Sequence, residues 1–185
     1  RFPVSEALAR LQAEGLVDIL PQRGSTVSLV RIADVLEYML IRKALEAEAV
    51  RVVTGNHSPE LIDTLQRNMS YQRAAVEIDD QNGFHERDLE FHDIIFGDMR
   101  FTKVKGVIEN TRANLDRARR LILTPRRLSV TLAEHQKILD GIIAGDAAVA
   151  SAAMRAHIDS VMAELIAFAV DHAELFADGQ LLRED

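Results

Sequence analysis

From residue 31 onward the chain reads almost without interruption in a helical period, broken only by short turn signals. Apolar residues recur at three- and four-residue spacing. They predict helices over Ile32–Thr54, Pro59–Glu77, Phe84–Met99, Thr102–Leu123, Leu132–Ala144 and Ala147–Asp171. The breaks fall at 55–59, 79–83, 124–125 and 145–146, each carrying Gly, Pro or clustered Asp and Asn. Ser58 before Pro59 reads as an N-cap followed by a proline in the first turn. Thr131-Leu132-Ala133-Glu134 has the form of a capping box. Short connections between six helices imply an antiparallel bundle. With 48% apolar and 28% charged residues, the chain buries a core of its own. Its longest apolar run, Val161 to Val170, is broken by Glu164 and falls short of the roughly 18 residues that span a bilayer. No membrane role is expected.

The first 30 residues read differently. Phe2 to Gly15 has Val4, Leu8, Leu11 and Leu16 at helical spacing, with Gly15 where a helix C-cap belongs. Leu16–Leu20 and Thr26–Val30 are short apolar and β-branched runs flanking Pro21-Gln22-Arg23-Gly24, a hairpin signal. A helix followed directly by a small hairpin suggests a winged helix-turn-helix entered from its middle. Some 30 residues with so few apolar side chains do not offset their own ordering entropy, so earlier helices are expected before this segment. The expected fold is thus mainly α: a truncated winged helix-turn-helix over 1–30, a helical bundle over 31–178 and a loose tail over 179–185.

Charge and cysteine content narrow the function classes. The 22 basic and 29 acidic residues give a net charge of −7, a poor footprint for nucleic acid over the whole surface. Within residues 1–30, three arginines balance three acids, so any DNA contact is confined to that segment. The absence of Cys excludes disulfides, thiolate zinc fingers and thiol catalysis. No secretory leader opens the chain, and a cytoplasmic location is expected.

The polar residues inside the apolar stripes carry the chemistry. On a wheel of about 100° per residue, Asp88 and His92 fall within the stripe Phe84, Phe91, Ile95, Met99. His135 lies between Leu132, Leu139 and Ile142, and His157 near the centre of Ala150, Ala153, Val161, Leu165 and Phe168. A buried carboxylate is costly unless it is paired or bound to a metal. Asp88 and His92 are one turn apart and suit chelation of a single ion. His135 lies about ten residues before the Gly145-Asp146 turn and His157 about eleven after it. At about 1.5 Å per residue, the two face each other at one level of an antiparallel hairpin. Three imidazoles and one carboxylate suit zinc, with nickel or manganese as further candidates, better than calcium or magnesium. His135 in the first turn of its helix is expected to be kept neutral by the helix dipole. His57, His85 and His172 are assigned no ligand role, and Glu134 is read as the capping-box acid.

Arg42 shares the stripe of the first long helix with Val35, Tyr38, Met39, Leu45, Ala49 and Val53, and Glu46 projects from the same face. It reads either as an internal pair with Glu46 or as a guanidinium fork for a ligand carboxylate. Asn114, at the edge of the next stripe, is a candidate donor to the same ligand. Arg112, Arg117, Arg119 and Arg120 read as a solvated basic face or as partners for acids on a neighbouring helix.

Arg1-Phe2-Pro3-Val4-Ser5-Glu6-Ala7-Leu8 through Leu11-Gln12-Ala13-Glu14-Gly15-Leu16-Val17 resembles the recognition helix of GntR-type bacterial repressors. Pro21-Gln22-Arg23-Gly24-Ser25-Thr26-Val27 is similar to their wing. Beyond it, Arg42-Lys43-Ala44-Leu45-Glu46, Asp88-Leu89-Glu90-Phe91-His92, Glu134-His135 and His157-Ile158 resemble the FCD effector domain of the FadR subfamily. The resemblance implies a homodimer on a palindromic operator whose DNA binding responds to a small carboxylate metabolite in the helical cavity. It places the metal on Asp88, His92, His135 and His157, the same four that the wheel selects. It places DNA contacts on Arg1, Arg23 and Gly24, and at Ser5, where the family usually carries a second arginine. That departure weakens one expected contact. Competing readings are a metal sensor whose ion is itself the effector, a metal-dependent hydrolase, and a dimerisation scaffold with a structural ion.

Overall fold

The computed structural model describes residues 2–99 and 102–180, without the side chains at positions 2, 102, 105 and 109–114. In chain order it comprises α1 (Phe2–Ala13), β1 (Val17–Leu20), β2 (Gly24–Val27), α2 (Ile32–Gly55), α3 (Leu61–Glu77), α4 (Gln81–Met99), α5 (Thr102–Leu121), α6 (Pro125–Ile143) and α7 (Ala147–Asp171), followed by a 3₁₀ turn at Ala173–Leu175. The architecture is mainly α, a helix and hairpin followed by a six-helix bundle.

α1 ends where Gly15 takes φ +70°, a conformation glycine adopts without steric cost. The hairpin is antiparallel, with Val17 opposite Val27 and Leu20 opposite Gly24. Its second strand therefore starts at Gly24, earlier than the apolar run 26–30 suggests, because backbone pairing and not side-chain polarity sets the register. Leu29 is exposed and Val30 leaves the hairpin altogether, forming a parallel bridge to Phe176.

The bundle is built on α7, which packs along α2 on one side and α6 on the other, while α3 lies against α4 and α6. Met39, Val50, Val53, Leu65, Phe91, Ile95, Ile138, Ile142, Met154, Ile158 and Leu165 form its shared core. α6 and α7 meet closely: a Cβ on Gly141 would lie 2.8 Å from the Ala150 backbone. The turn between them has Gly145 at φ +68°. Asp146 then caps α7 by accepting from the Ala148 and Val149 amides at 3.1 and 3.0 Å.

Three local expectations need correction. α6 begins six residues before the capping-box serine/threonine pattern, at Pro125, with Thr124 accepting from the Arg127 amide as N-cap. A proline in the first turn after a threonine is itself a helix start signal, and it dominates the Thr131 pattern, so Glu134 and His135 lie mid-helix. Ser58 does not cap α3, which starts at Leu61; its amide instead donates to the Asp98 carboxylate. Gly179, placed in the tail, is buried against the Ala173 carbonyl, while residues 181–185 lie outside the described residues. Asp178 just before it caps α2 from across the sequence, accepting from Ile32 N at 2.7 Å and Ala33 N at 3.0 Å.

Replacing Gly141 with Ala should destabilise the bundle. Overpacking at the α6–α7 crossing costs about 1–3 kcal/mol, against at most about 1 kcal/mol gained in helix propensity. A thermal midpoint equal to or above the parent's would show that the crossing is not tight.

Candidate metal centre

Asp88 and His92 on α4, His135 on α6 and His157 on α7 converge in the bundle interior, with one donor atom from each lying within 4.8 Å of all the others. All four side chains are buried: Asp88 is 1% exposed, His92 3%, and His135 and His157 0%. The imidazoles also pack against one another. The His135 ring lies 4.7 Å from that of His157 and 5.3 Å from that of His92, and its outer face is covered by Phe91 at 4.2 Å.

The outer nitrogen of each imidazole faces a polar side chain on a different helix, hydrogen-bonded for His157 and His135. His157 Nδ1 lies 2.8 Å from Glu134 Oε2, and His92 Nδ1 makes a close 2.6 Å contact with Glu46 Oε2 on α2. His135 Nδ1 lies 2.9 Å from Gln72 Oε1 on α3. That amide is oriented by its own donation to Asn68 Oδ1, whose amide in turn donates to the Arg87 carbonyl and to Glu90. A carboxylate only accepts, and the relay leaves Gln72 oxygen-first, so each partner requires its histidine to carry the proton on Nδ1. Nε2 is then a bare lone pair in all three rings. The Nε2 atoms of His92, His135 and His157, together with Asp88 Oδ1, are buried without a hydrogen-bond partner.

Four orphaned acceptors aimed at one point are costly unless a cation sits among them. Outer acceptors on each Nδ1–H are the pattern that orients metal-ligating imidazoles and raises their basicity. Donors held 2.0–2.2 Å from one ion lie at most about 4.4 Å apart, so a shift of a few tenths of an ångström seats one. The residues fit a divalent transition ion.

A cavity of about 10 Å³ borders this cluster on one side, lined by Arg42, Glu46, His92, Asp116 and Arg119. A second, of about 20 Å³, lies beyond Asp88 and is lined by His85, Arg119 and Arg127. Each has room for about one water. Arg42 Nε donates to Glu46 Oε1 at 2.6 Å, so the internal pair forms while the guanidinium still borders the first cavity. Arg119 is buried, with one terminal nitrogen 2.5 Å from Asp88 Oδ2 and the other, NH1, buried without a hydrogen-bond partner.

A family model, the FCD domain, matches residues 37–160. An uncharacterised HTH-type transcriptional regulator from an unstable DNA locus of Streptomyces ambofaciens is 31% identical over 179 residues, covering 96% of this chain and 75% of that protein. Among solved structures, Escherichia coli McbR/YncC aligns with a TM-score of 0.77 at 22% identity, over 89% of this chain and 83% of its own. Streptococcus agalactiae GntR aligns with a TM-score of 0.61 at 17% identity, over 86% and 80%. The chain belongs to the FCD-domain family of HTH-type transcriptional regulators. It is a regulator and not an enzyme.

In this FCD regulator a helix and hairpin precede the bundle, and the expected DNA contacts fall on that segment. Ser5 lies exposed on α1, and Arg23 and Gly24 are exposed at the hairpin turn, where Gln22 has φ +62° and Gly24 φ +97°. Arg1 and the side chain of Asn114 lie outside the described residues. No helix among them is long and apolar enough to cross a membrane.

The structure adds residues that the sequence reading left out of the centre. Arg119 sits four residues after Leu115 and three before Ile122, inside the buried stripe of α5, and Gln72 occupies the corresponding place after Leu65 and Met69 on α3. The wheel that found Asp88 would have flagged both. Glu134 was not visible in this way because the helix start was misplaced. It is held between His157 and the buried Arg127, whose guanidinium donates to it at 2.6 Å and also to Thr131 and Ser160. His85 is buried as well, but it is not one of the four converging donors.

Burial, more than any helix dipole, keeps His135 and His157 neutral. Burial pushes His135 well below its ordinary 6.5, reinforced by neighbouring His157 and only partly offset by Asp88. His157 is depressed in the same way, by burial and then by His92. Burial raises the Asp88 carboxyl, but Arg119 and the three imidazoles more than reverse this and hold it well below 3.8. The Glu46 carboxyl is likewise held below its usual range, chiefly because Arg42 outweighs its burial.

A depressed histidine means that the unfolded chain takes up protons first as pH falls. Metal-free protein should therefore lose stability progressively below about pH 6.5, whereas Asp88 and Glu46 add their own loss only further down, below 3.8 and 4.5. Urea midpoints in EDTA at pH 7.5 and 5.5 measure this; equal midpoints would contradict neutral, buried His135 and His157.

Proposed function

We propose that this regulator binds a palindromic operator as a dimer through α1 and the hairpin, and senses a small organic acid at a divalent metal held by Asp88, His92, His135 and His157. The observation that carries the reading is the set of four buried acceptors left without partners while the outer nitrogens of His135 and His157 are hydrogen-bonded. When bound, the cation supplies a Lewis-acidic centre on which carboxylate and hydroxyl oxygens sit. Four protein donors close a tetrahedral zinc site but leave two positions on an octahedral ion, so nickel, manganese or expanded zinc suits an acid as co-ligand.

Arg42 and Arg119 border the same cavity and offer guanidinium groups to a second carboxylate of the acid. Arg119 NH1 needs a partner, and an acid oxygen provides one. The cavity holds only about one water as it stands, so an acid enters by parting Arg42 from Glu46 and moving the surrounding helices. That requirement ties occupancy to conformation. Coupling of this kind is worth about 1–3 kcal/mol, enough to change how two recognition helices address half-sites about one DNA turn apart.

The small cavity also favours a second reading, in which the metal alone is the effector. Metal analysis and native mass spectrometry of protein purified without chelators separate the two. The acid reading expects one metal per chain and a co-purified acid that Arg42→Ala or Arg119→Gln removes; metal with no acid in any preparation supports the ion as effector. His135→Ala and His157→Ala should abolish stoichiometric metal, and unchanged metal content would overturn both readings. Glu134→Gln should weaken metal binding about 10–100-fold by loosening the orientation of His157.

A further inference from the structure

We propose that α5 is the lever that carries the state of the metal centre to the DNA-binding hairpin, with Arg119 gripping the ligand Asp88 and Arg117 gripping the Ser28 carbonyl. The inference rests on the metal reading above. Arg119 reaches Asp88 Oδ2 at 2.5 Å inside the bundle. Arg117, two residues earlier, donates to the Ser28 carbonyl at 2.5 Å. Two residues of helix turn about 200° and rise only about 3 Å. The two guanidinium groups therefore leave nearly opposite sides of α5 at one level, and rotation of the helix drives their tips in opposite directions. Asp116, immediately before Arg117 in sequence, borders the cavity beside the centre.

Ser28 is placed to pass that motion on. It is buried and follows β2 directly, and its amide donates to the Leu16 carbonyl at 3.1 Å, closing the hairpin base onto the end of α1. Among the described residues, α1 and the hairpin pack mainly on each other and little on the helices of the bundle. A cleft of about 180 Å³, bordered by Gly15, Asp18, Ser28, Arg31, Asp34 and Ala177, separates the hairpin base from the bundle. The chain on the far side of the cleft is anchored by the Val30–Phe176 bridge, by the Ala177 amide donating to the Val30 carbonyl, and by Asp178 on α2. Anchored at residue 30 and open at the cleft, the hairpin tilts about its base, where Arg117 holds it.

Hydrogen exchange with zinc as the probe tests the lever without knowledge of the acid or the operator. In the parent protein, zinc added to EDTA-treated material should slow amide exchange in α4, α6 and α7 and also in residues 16–28. In Arg117→Gln the bundle should keep its zinc-dependent protection while residues 16–28 lose theirs, and Arg117→Lys, which keeps a cationic donor, should restore it in part. A hairpin that responds to zinc equally in Arg117→Gln, or that ignores zinc in a parent whose bundle responds, overturns the lever and leaves the metal centre standing. Absence of any zinc response in the parent bundle removes the metal reading, and the lever with it.

Discussion

Everything at the centre of this protein depends on where three imidazole protons are kept. Gln72 and Glu134 accept from the Nδ1–H of His135 and His157, and Glu46 lies 2.6 Å from His92 Nδ1, which leaves three Nε2 lone pairs and one Asp88 oxygen facing inward with nothing to receive them. In a low-dielectric interior such groups repel one another and forgo hydration. A fold that assembles them from three helices, and recruits two more helices to hold them in place, tolerates a sizeable local cost. A cation repays it.

The supporting network also explains the number of charged residues the bundle interior holds. Arg42 balances Glu46, Arg119 balances Asp88, and Arg127 balances Glu134. Each acid that touches the centre, as donor or as orienting acceptor, thus has its own buried arginine. Removing one arginine leaves an uncompensated carboxylate beside the cluster, a larger perturbation than loss of a surface pair. The arginines that border the cavities are part of this balance, so a group that engages them acts on the centre through the acids they hold.

The four converging donors were legible before the fold because helical period and chain direction are local properties. Asp88 and His92 share a face by their spacing. His135 and His157 reach one level because Gly145 and Asp146 force a tight reversal between them. The orienting partners were less legible. Glu46 was seen only as a partner of Arg42, Arg119 only as one of four arginines on a solvated face or paired with acids of a neighbouring helix, Gln72 lay in an apolar stripe read for its apolar members, and Glu134 was hidden by a false helix start at Thr131. The helix-dipole account of His135 failed with that start, since residue 135 lies mid-helix, and burial took its place. Asp178 had no local signature at all, because it caps a helix whose start lies 146 residues before it.

By itself the sequence determined the helical bundle, the hairpin that precedes it and the inward set of donors, since periodicity, turn chemistry and the rarity of acids and imidazoles in apolar stripes are written along the chain. Tertiary structure alone decided which nitrogen of each histidine faces inward, how little room lies beside them, and that one helix touches both the centre and the hairpin. Those features depend on which side chains from distant segments meet, and hydrogen-bond direction and cavity volume exist only once they do.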